Sequence, residues 1–450
     1  MGRMAFGFGL GRTDEALTAH GGLALMAEYQ RRLGLRTLSE SYLPKPGSNR
    51  GDAASAFACT GTIKSGVESL VLMLQGGGRR LEDVRALEGE GALMALIGRD
   101  RIPDADTVGD GLRRMGDASE RPGVVGCGHL RDAINRRILE KDQRRDFTLD
   151  ADATQVAAMK LAALWTYLGE KGFMPMLGFL FENGRCLYDE FREGNVSPQT
   201  GQVDFYRACK DRMPAGRRIA RYRADSASYP ADLINTLEAD GVICGMVWAI
   251  TADQDRAVKA VIASIPEAAW RAPKADCGYQ VAETVHTMNR TNAAFRLVVK
   301  REVRHPRDLF DTAGEHYFYH AVANNWPMVE KDAVEVLAWH NQRGSAENFN
   351  KESKCGFGME QMPCGSFGAN AVFFRIGVIA YNLFIGFKRA LCPKEWQAHT
   401  IATIRWKFIQ VAGRIVRHAG RTILKLAVDA KRFLEFARIR RRCFEGSMVT

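Results

Sequence analysis

The sequence predicts an α/β protein built on a mixed sheet, with helices before and after it and a β-rich insertion between its two halves. Three observations carry that expectation. Period-2 alternation replaces helical spacing at Asp146, an Asn183-Gly184 pair separates two apolar runs, and the stretch from about Ser264 to Lys331 has no long helical period before helices return after Ala333. The resulting division is 1–145 helical, 146–263 and 333–390 as two parts of one α/β core, 264–332 as the insertion, and 391–450 as a basic C-terminal region.

Residues 1–145 read as short helices. Thr60–Leu74 places Ile63, Val67, Leu70, Val71 and Leu74 at helical spacing before Gly76-Gly77-Gly78 stops it. A second pattern runs from Leu81 to about Ile97, and a third begins near Asp106. Short helices joined by Gly and Pro turns suit a helix-turn-helix-like DNA reader and suit any other small helical domain equally well.

At Asp146 the text changes. Phe147, Leu149 and Ala151 alternate with polar residues in a strand ending at Asp152. The runs Phe173–Phe181 and Arg185–Tyr188 form a hairpin around Asn183-Gly184, a pair that tolerates positive φ. Ile219–Ala224 is a strand leading into Asp225. A helix follows from Pro230 to about Leu237, ended by Gly241, and then an apolar strand over Val242–Ile250. Phe295–Val303 and His316–Ala321 read as strands of the insertion. Periodicity alone makes Gln155–Leu164 a helix.

Composition excludes several classes. Apolar residues make up 46% of the 450 and charged residues 26%, so most of the chain has the material for a packed core rather than for disorder. Ten scattered cysteines without a C-x-x-C pair argue against a zinc ribbon or a dense disulfide framework, and nine His without paired spacing argue against a zinc enzyme. Met1–Leu10 has no secretory apolar run, and Phe6 stands where myristoylation wants Ser or Thr. Ala371–Phe387, broken by Arg375 and Asn382, is read as a buried helix rather than a membrane span. A soluble cytoplasmic protein without a membrane partner is expected. Lys and Arg number 63 against 52 Asp and Glu, a net charge of +11, which suggests a polyanionic partner. The tail from Lys388 to Arg442 concentrates 15 of the cations, and Arg414, Arg417, Arg421 and Lys425 share one side if the segment is helical, a stripe able to track phosphates.

Asp152 and Asp225 each end a strand, and Glu347 follows Gly344-Ser345 near a helix start. Carboxylates at the C-terminal ends of neighbouring strands converge, and hard divalent cations such as Mg²⁺ favour open all-oxygen sites. Among 52 acidic residues such a triple also arises by chance. The setting of Glu347 is more specific. Arg343, Glu347 and Lys354 lie four and seven residues apart, on nearly one helical face, with His340 three residues before Arg343. Such a face places two cations around one carboxylate, Arg for bidentate and Lys for point-charge contact with phosphate.

These residues resemble bacterial insertion-sequence transposases of the DDE, RNase H-like superfamily. Within it they resemble the group with a Tyr-Arg-Glu-Lys signature, and insertion-sequence family thirteen-eighty above all. Four segments carry the likeness: Asp150–Thr154, Thr166–Met176, Arg223–Ser226 and Gln342–Phe349 running on to Lys354, with a weaker stretch over Gly356–Asn382. The resemblance implies an RNase H-like core, with Asp152, Asp225 and Glu347 as ligands of two Mg²⁺ ions for which Mn²⁺ substitutes. Arg343 and Lys354 would hold the DNA strand, with His340 in the Tyr place. The implied partners are double-stranded DNA, as terminal inverted repeats and target, and a second protomer of a synaptic homodimer. Arg414, Arg417 and Arg421 are further expected phosphate contacts. Two features depart from the group: His340 replaces the Tyr, and Ser226-Ala227-Ser228 stands where Ser-Gly-aromatic is expected. Asp150 shares a strand face with Asp152 and competes for its role. Two alternatives stay open, another RNase H-like DNA nuclease and a decayed copy that binds DNA without cutting it.

Overall fold

The computed structural model describes residues 11–44, 63–99, 102–275, 277–303 and 317–445. Cys59, the expected helix start at residues 60–62, His316 and Met1–Leu10 lie outside the described residues. After a two-residue strand β1 (Leu17–Thr18), helices Leu23–Arg32, Leu35–Tyr42, Ile63–Gly76, Ala105–Asp117 and Pro122–Leu139 follow. The pattern expected over Leu81–Ile97 is broken into one-turn pieces, because the chain turns at Gly89-Glu90 between Arg85–Glu88 and Gly91–Leu96.

The sheet begins with β2 (Asp146–Ala153). A small three-stranded meander follows, β3 (Val156–Ala157), β4 (Leu164–Trp165) and β5 (Lys171–Phe173), in the order β3-β5-β4. The helix expected over Gln155–Leu164 is therefore absent. Val156 pairs with Phe173 and Leu164 with Gly172, so strand pairing overrides the local period. Strands β6 (Met176–Leu180) and β7 (Arg185–Glu190) form the expected hairpin. In its loop only Gly184 takes a positive φ (+68°), while the Asn183 side-chain oxygen accepts the Arg185 N–H at 3.1 Å. Next come β8 (Arg218–Ala224), helix Ala231–Cys244 and β9 (Val247–Thr251). That helix runs through Gly241 and stops at Gly245, whose left-handed φ of +69° caps it, so Val242–Cys244 are helical rather than extended.

The insertion supplies β10 (Tyr279–His286), β11 (Phe295–Val303) and β12 (Tyr317–Asn324). These do not form a separate body. β12 pairs antiparallel with β9, giving one eight-stranded sheet in the order β10-β11-β12-β9-β8-β2-β6-β7. Among the described residues only β2/β8 and β8/β9 are parallel pairs.

Alternation along β2 sorts the two faces. Phe147, Leu149 and Ala151 join a core with helices Gln202–Asp211, Ala231–Cys244 and Arg256–Ala263. Thr148, Asp150 and Asp152 face the other way, toward helices Ala333–Asn341 and Gly344–Gly356. On that second face the helix Phe367–Leu391 is the axis of the largest core. It is long and apolar enough to cross a membrane by length and composition, yet 94% of its most apolar window is buried inside the protein. The N-terminal helices pack around it in the same cluster, which also takes in Phe173, Leu177 and Phe179 of the strands. The boundary at residue 145 is thus a change of secondary structure within a shared core.

The C-terminal stripe is not a helix. β13 (Gly413–His418) and β14 (Arg421–Leu426) form a hairpin beside β1, turning through Ala419 and Gly420 at φ +48° and +73°. Two successive positive-φ residues make the tight turn that matches strand twist, and helical spacing no longer applies. Arg414 is the cross-strand partner of Lys425, while Arg417, an odd step away, points to the opposite face beside Ile415 and Leu424. A basic helix does follow, Ala430–Phe444.

Candidate functional site

The site begins with strand register. Asp150 is paired with Arg223 and Ala151 with Ala224 across the parallel β2/β8 ladder. The ladder stops there, and the next residue on each chain is Asp152 and Asp225, close enough for the charge of Asp225 to bear on Asp152. Beneath them the Asp150–Arg223 pair fixes that register. Arg223 donates from Nε and Nη2 to the two Asp150 oxygens at 2.8 and 2.9 Å, and from Nη1 to the Trp339 carbonyl at 2.7 Å. Both side chains are wholly buried, and the guanidinium lies between the Phe181 and Trp339 rings. Burial pushes the Asp150 carboxyl up to about 6 against the pull of Arg223. Asp150 is therefore committed to a structural ion pair, and the more exposed strand-end position belongs to Asp152.

Helix Gly344–Gly356 lies across the strand ends. The helical face does not run back through Arg343: the preceding helix ends at Asn341 and Arg343 occupies the N-cap of the next. Arg343 nevertheless reaches forward, with Nη2 at 3.1 Å from Glu347 and Nη1 at 3.8 Å from Asp152. Glu347 is mostly exposed in the first turn. Asn350 donates its amide to Asp152, and Lys354 donates to the Thr154 hydroxyl at 2.7 Å and the Gln155 carbonyl at 3.3 Å. Arg343, Glu347, Asn350 and Lys354 thus make one stripe facing β2. Asn350 went unnoticed in the sequence although its spacing, three after Glu347 and four before Lys354, announces it.

Electrostatics agree with the placement. Burial, then the like charge of Asp225, pushes the Asp152 carboxyl up to about 7; Arg343 pulls it down and Glu347 pushes it further up. Three carboxylates therefore bear on one another, with a guanidinium between Asp152 and Glu347. The donor chemistry, hard oxygens with crowded negative charge, fits a divalent cation. Among the described residues, however, no three His, Cys, Asp or Glu side chains are gathered closely enough to hold a metal ion. Glu347 is turned onto Arg343 instead. Asp225 accepts the Ala227 N–H at 3.1 Å, so the Ser226-Ala227-Ser228 run forms a capped single turn behind it.

His340 is placed differently from a strand-contacting residue. It is 3% exposed, and its Nε2–H donates to the Ala224 carbonyl at 3.2 Å. Burial holds its ring neutral, with a pKa down at about 3. It props the end of β8, one residue before Asp225. Arg414, Arg417 and Arg421 lie on the β1-β13-β14 sheet rather than on the sheet bearing the aspartates, and Arg414 pairs with Glu15 at 3.1 Å.

No curated protein matches this chain. A solved cryo-EM structure of a piggyBac transposase synaptic complex with hairpin DNA is similar, with 11% sequence identity and a TM-score of 0.42 over 82% of this chain and 74% of that one. The family described as transposase DDE domain group 1 matches residues 11–443, nearly the full length, and the chain belongs to that family.

Proposed function

We propose that this chain is a DNA transposase. It cuts phosphodiester bonds at the ends of a mobile element and transfers the freed 3′-hydroxyls to target DNA. The carrying observation is that Asp152 and Asp225 each follow the last pair of the β2/β8 ladder, with the charges of Asp225 and Glu347 both raising the Asp152 pKa. These three residues would hold two Mg²⁺ or Mn²⁺ ions, which supply an activated water and charge stabilisation at the leaving oxygen. The strand order β7-β6-β2-β8-β9, with its central parallel pairs, supports an RNase H-like core.

The chain's own residues do the positioning. Arg343 spans Asp152 and Glu347, and its planar fork matches a phosphate equally well. Moving it to a DNA phosphate frees Glu347 to turn toward the aspartates. Lys354, tied to Thr154 and Gln155, sits as a fixed point charge beside the same groove. The N-terminal helices would read terminal inverted repeats, and the basic hairpin and last helix would contact DNA or a second protomer.

The test uses duplexes taken from the DNA on either side of the coding region, incubated with Mg²⁺ or Mn²⁺ and a target plasmid. Wild type is expected to nick the duplex and join its 3′ ends to the plasmid. Asp152→Asn, Asp225→Asn and Glu347→Gln are expected to do neither. Nicking without joining would replace the transposase by a simple nuclease, and wild-type activity no greater than that of Asp152→Asn would end the enzyme reading.

A further inference from the structure

The meander that follows Asp152 carries apolar side chains where folding gives no reason for them. Met159, Leu161, Trp165, Tyr167 and Leu168 are 88%, 95%, 64%, 68% and 55% exposed. Single exposed apolar residues are ordinary, but five of them within ten positions of one short meander call for a partner that covers them.

The geometry of the tip sharpens this. The Gly169 N–H donates to the Thr166 carbonyl at 3.0 Å, and the Thr166 N–H to the Glu170 carbonyl at 2.9 Å. Gly169 takes a φ of +78°. This is a closed three-residue hairpin loop ending in a left-handed glycine. Its central positions, where turn chemistry favours Asn, Asp, Ser or Pro, hold Tyr167 and Leu168 instead. Trp165 stands in β4 directly opposite Lys171, whose ammonium lies 5.9 Å from the indole centroid.

The hairpin is also braced against the carboxylate site. Gln155, three residues past Asp152, donates to the Thr166 hydroxyl at 3.0 Å and to Glu170 at 3.3 Å. The Gln155 carbonyl in turn accepts from Lys354. Strand end, helix stripe and hairpin base are therefore one hydrogen-bonded unit. Were a phosphate held by Arg343 and Lys354, the exposed surface joined to them through Gln155 would be an apolar, aromatic hairpin flanked by Lys160 and Lys171. That is the composition that stacks on unpaired bases or wedges between them.

We infer that the Trp165–Gly169 hairpin is a wedge that holds DNA bases unpaired beside the phosphate entering the Asp152, Asp225 and Glu347 site. This rests on the transposase reading and names a positioning element for it. Trp165 and Tyr167 stack on the separated bases, and Leu168 fills the gap left in the duplex.

The experiment compares a blunt duplex with a fork of the same sequence, six nucleotides unpaired at one end, using the full chain in EDTA. Fluorescence anisotropy gives affinity, and 2-aminopurine at the junction reports stacking. Wild type is expected to bind the fork about tenfold more tightly, the weight of one stacked base, and to quench 2-aminopurine. Trp165→Ala/Tyr167→Ala is expected to lose both the preference and the quenching, and Trp165→Phe/Tyr167→Phe to keep them. In Mg²⁺, mismatches placed at the cleavage junction are expected to restore nicking by the double alanine variant. Equal binding of fork and duplex by wild type overturns the wedge. So does an alanine variant that keeps the preference, or one whose only change is weaker self-association in sedimentation. Because binding is read without metal, a wild type that prefers forks yet never nicks discards the transposase reading and leaves the base contact standing. A wild type that nicks with metal but ignores the fork does the reverse.

Discussion

Replacing Arg223 by Met leaves the Asp150 carboxylate buried without its counter-charge. The two wild-type side chains are fully buried and joined by two hydrogen bonds. Removing one member of such a pair costs about 3–5 kcal/mol, because the remaining charge is neither solvated nor paired. Unfolding entropy of about 2.1 cal/mol/K per residue gives roughly 0.9 kcal/mol/K for a chain of 450. Arg223→Met should therefore lower Tm by about 4 °C at pH 8. The sign of the pH dependence follows from Asp150. Its carboxyl already sits at about 6 beside Arg223, above the unfolded value, and loses its main downward pull in the variant. The folded variant then binds more protons than the unfolded chain, so its deficit shrinks as pH falls and grows as pH rises. The double variant Asp150→Leu/Arg223→Met removes both charges and should recover most of the lost stability. Thermal unfolding of wild type, Asp150→Leu, Arg223→Met and the double variant at pH 6 and pH 8 measures this cycle. A double variant as unstable as Arg223→Met would refute the reasoning, since the loss would then come from packing of the guanidinium and not from a stranded carboxylate.

His340 gives a second pH signature. Its folded pKa of about 3 lies below the usual 6.5, so its contribution to stability is complete above 6.5 and is lost as pH falls toward 3. His340→Gln should flatten the acid limb of stability measured by urea titration, by at most about 5 kcal/mol across that window. Gly116 and Gly368 meet backbone to backbone where helix Ala105–Asp117 crosses helix Phe367–Leu391, and a Cβ on either would fall inside van der Waals contact of the other's backbone. Gly368→Ala should cost about 3 kcal/mol in thermal unfolding, and a loss within about 0.5 kcal/mol would mean the two helices do not meet backbone to backbone. If the β13–β14 hairpin tracks phosphates, Arg417→Glu/Arg421→Glu should weaken duplex binding and lower the slope of log affinity against log salt by about 2. An unchanged slope would remove that surface from the DNA interface. Mg²⁺ at ten times its dissociation constant should stabilise wild type by about 1.4 kcal/mol and leave Asp152→Asn unmoved in the same melting assay.

The hydrophobic pattern and the turn residues determined much of this protein directly. Alternation at Phe147, Leu149 and Ala151 fixed which face of β2 is core, and so put Asp150 and Asp152 together on the other face. Phe295–Val303 and the β6–β7 hairpin were legible for the same reason, since period and turn chemistry are local. The spacing of Arg343, Glu347 and Lys354 likewise predicted a shared helix face. What the chain could not disclose on its own are the properties set by partners distant in sequence. Gln155–Leu164 carries a helical period, yet it is extended because Lys171–Phe173 offers a strand edge. The basic stripe at Arg414–Lys425 became a hairpin because Ala419-Gly420 turns it back beside β1. Asp150 and Asp152 differ by two residues and not at all in type. Only tertiary packing gave the first a buried arginine and the second a crowded, half-open strand end, because burial and counter-charge are properties of neighbours in space and not of the residue itself.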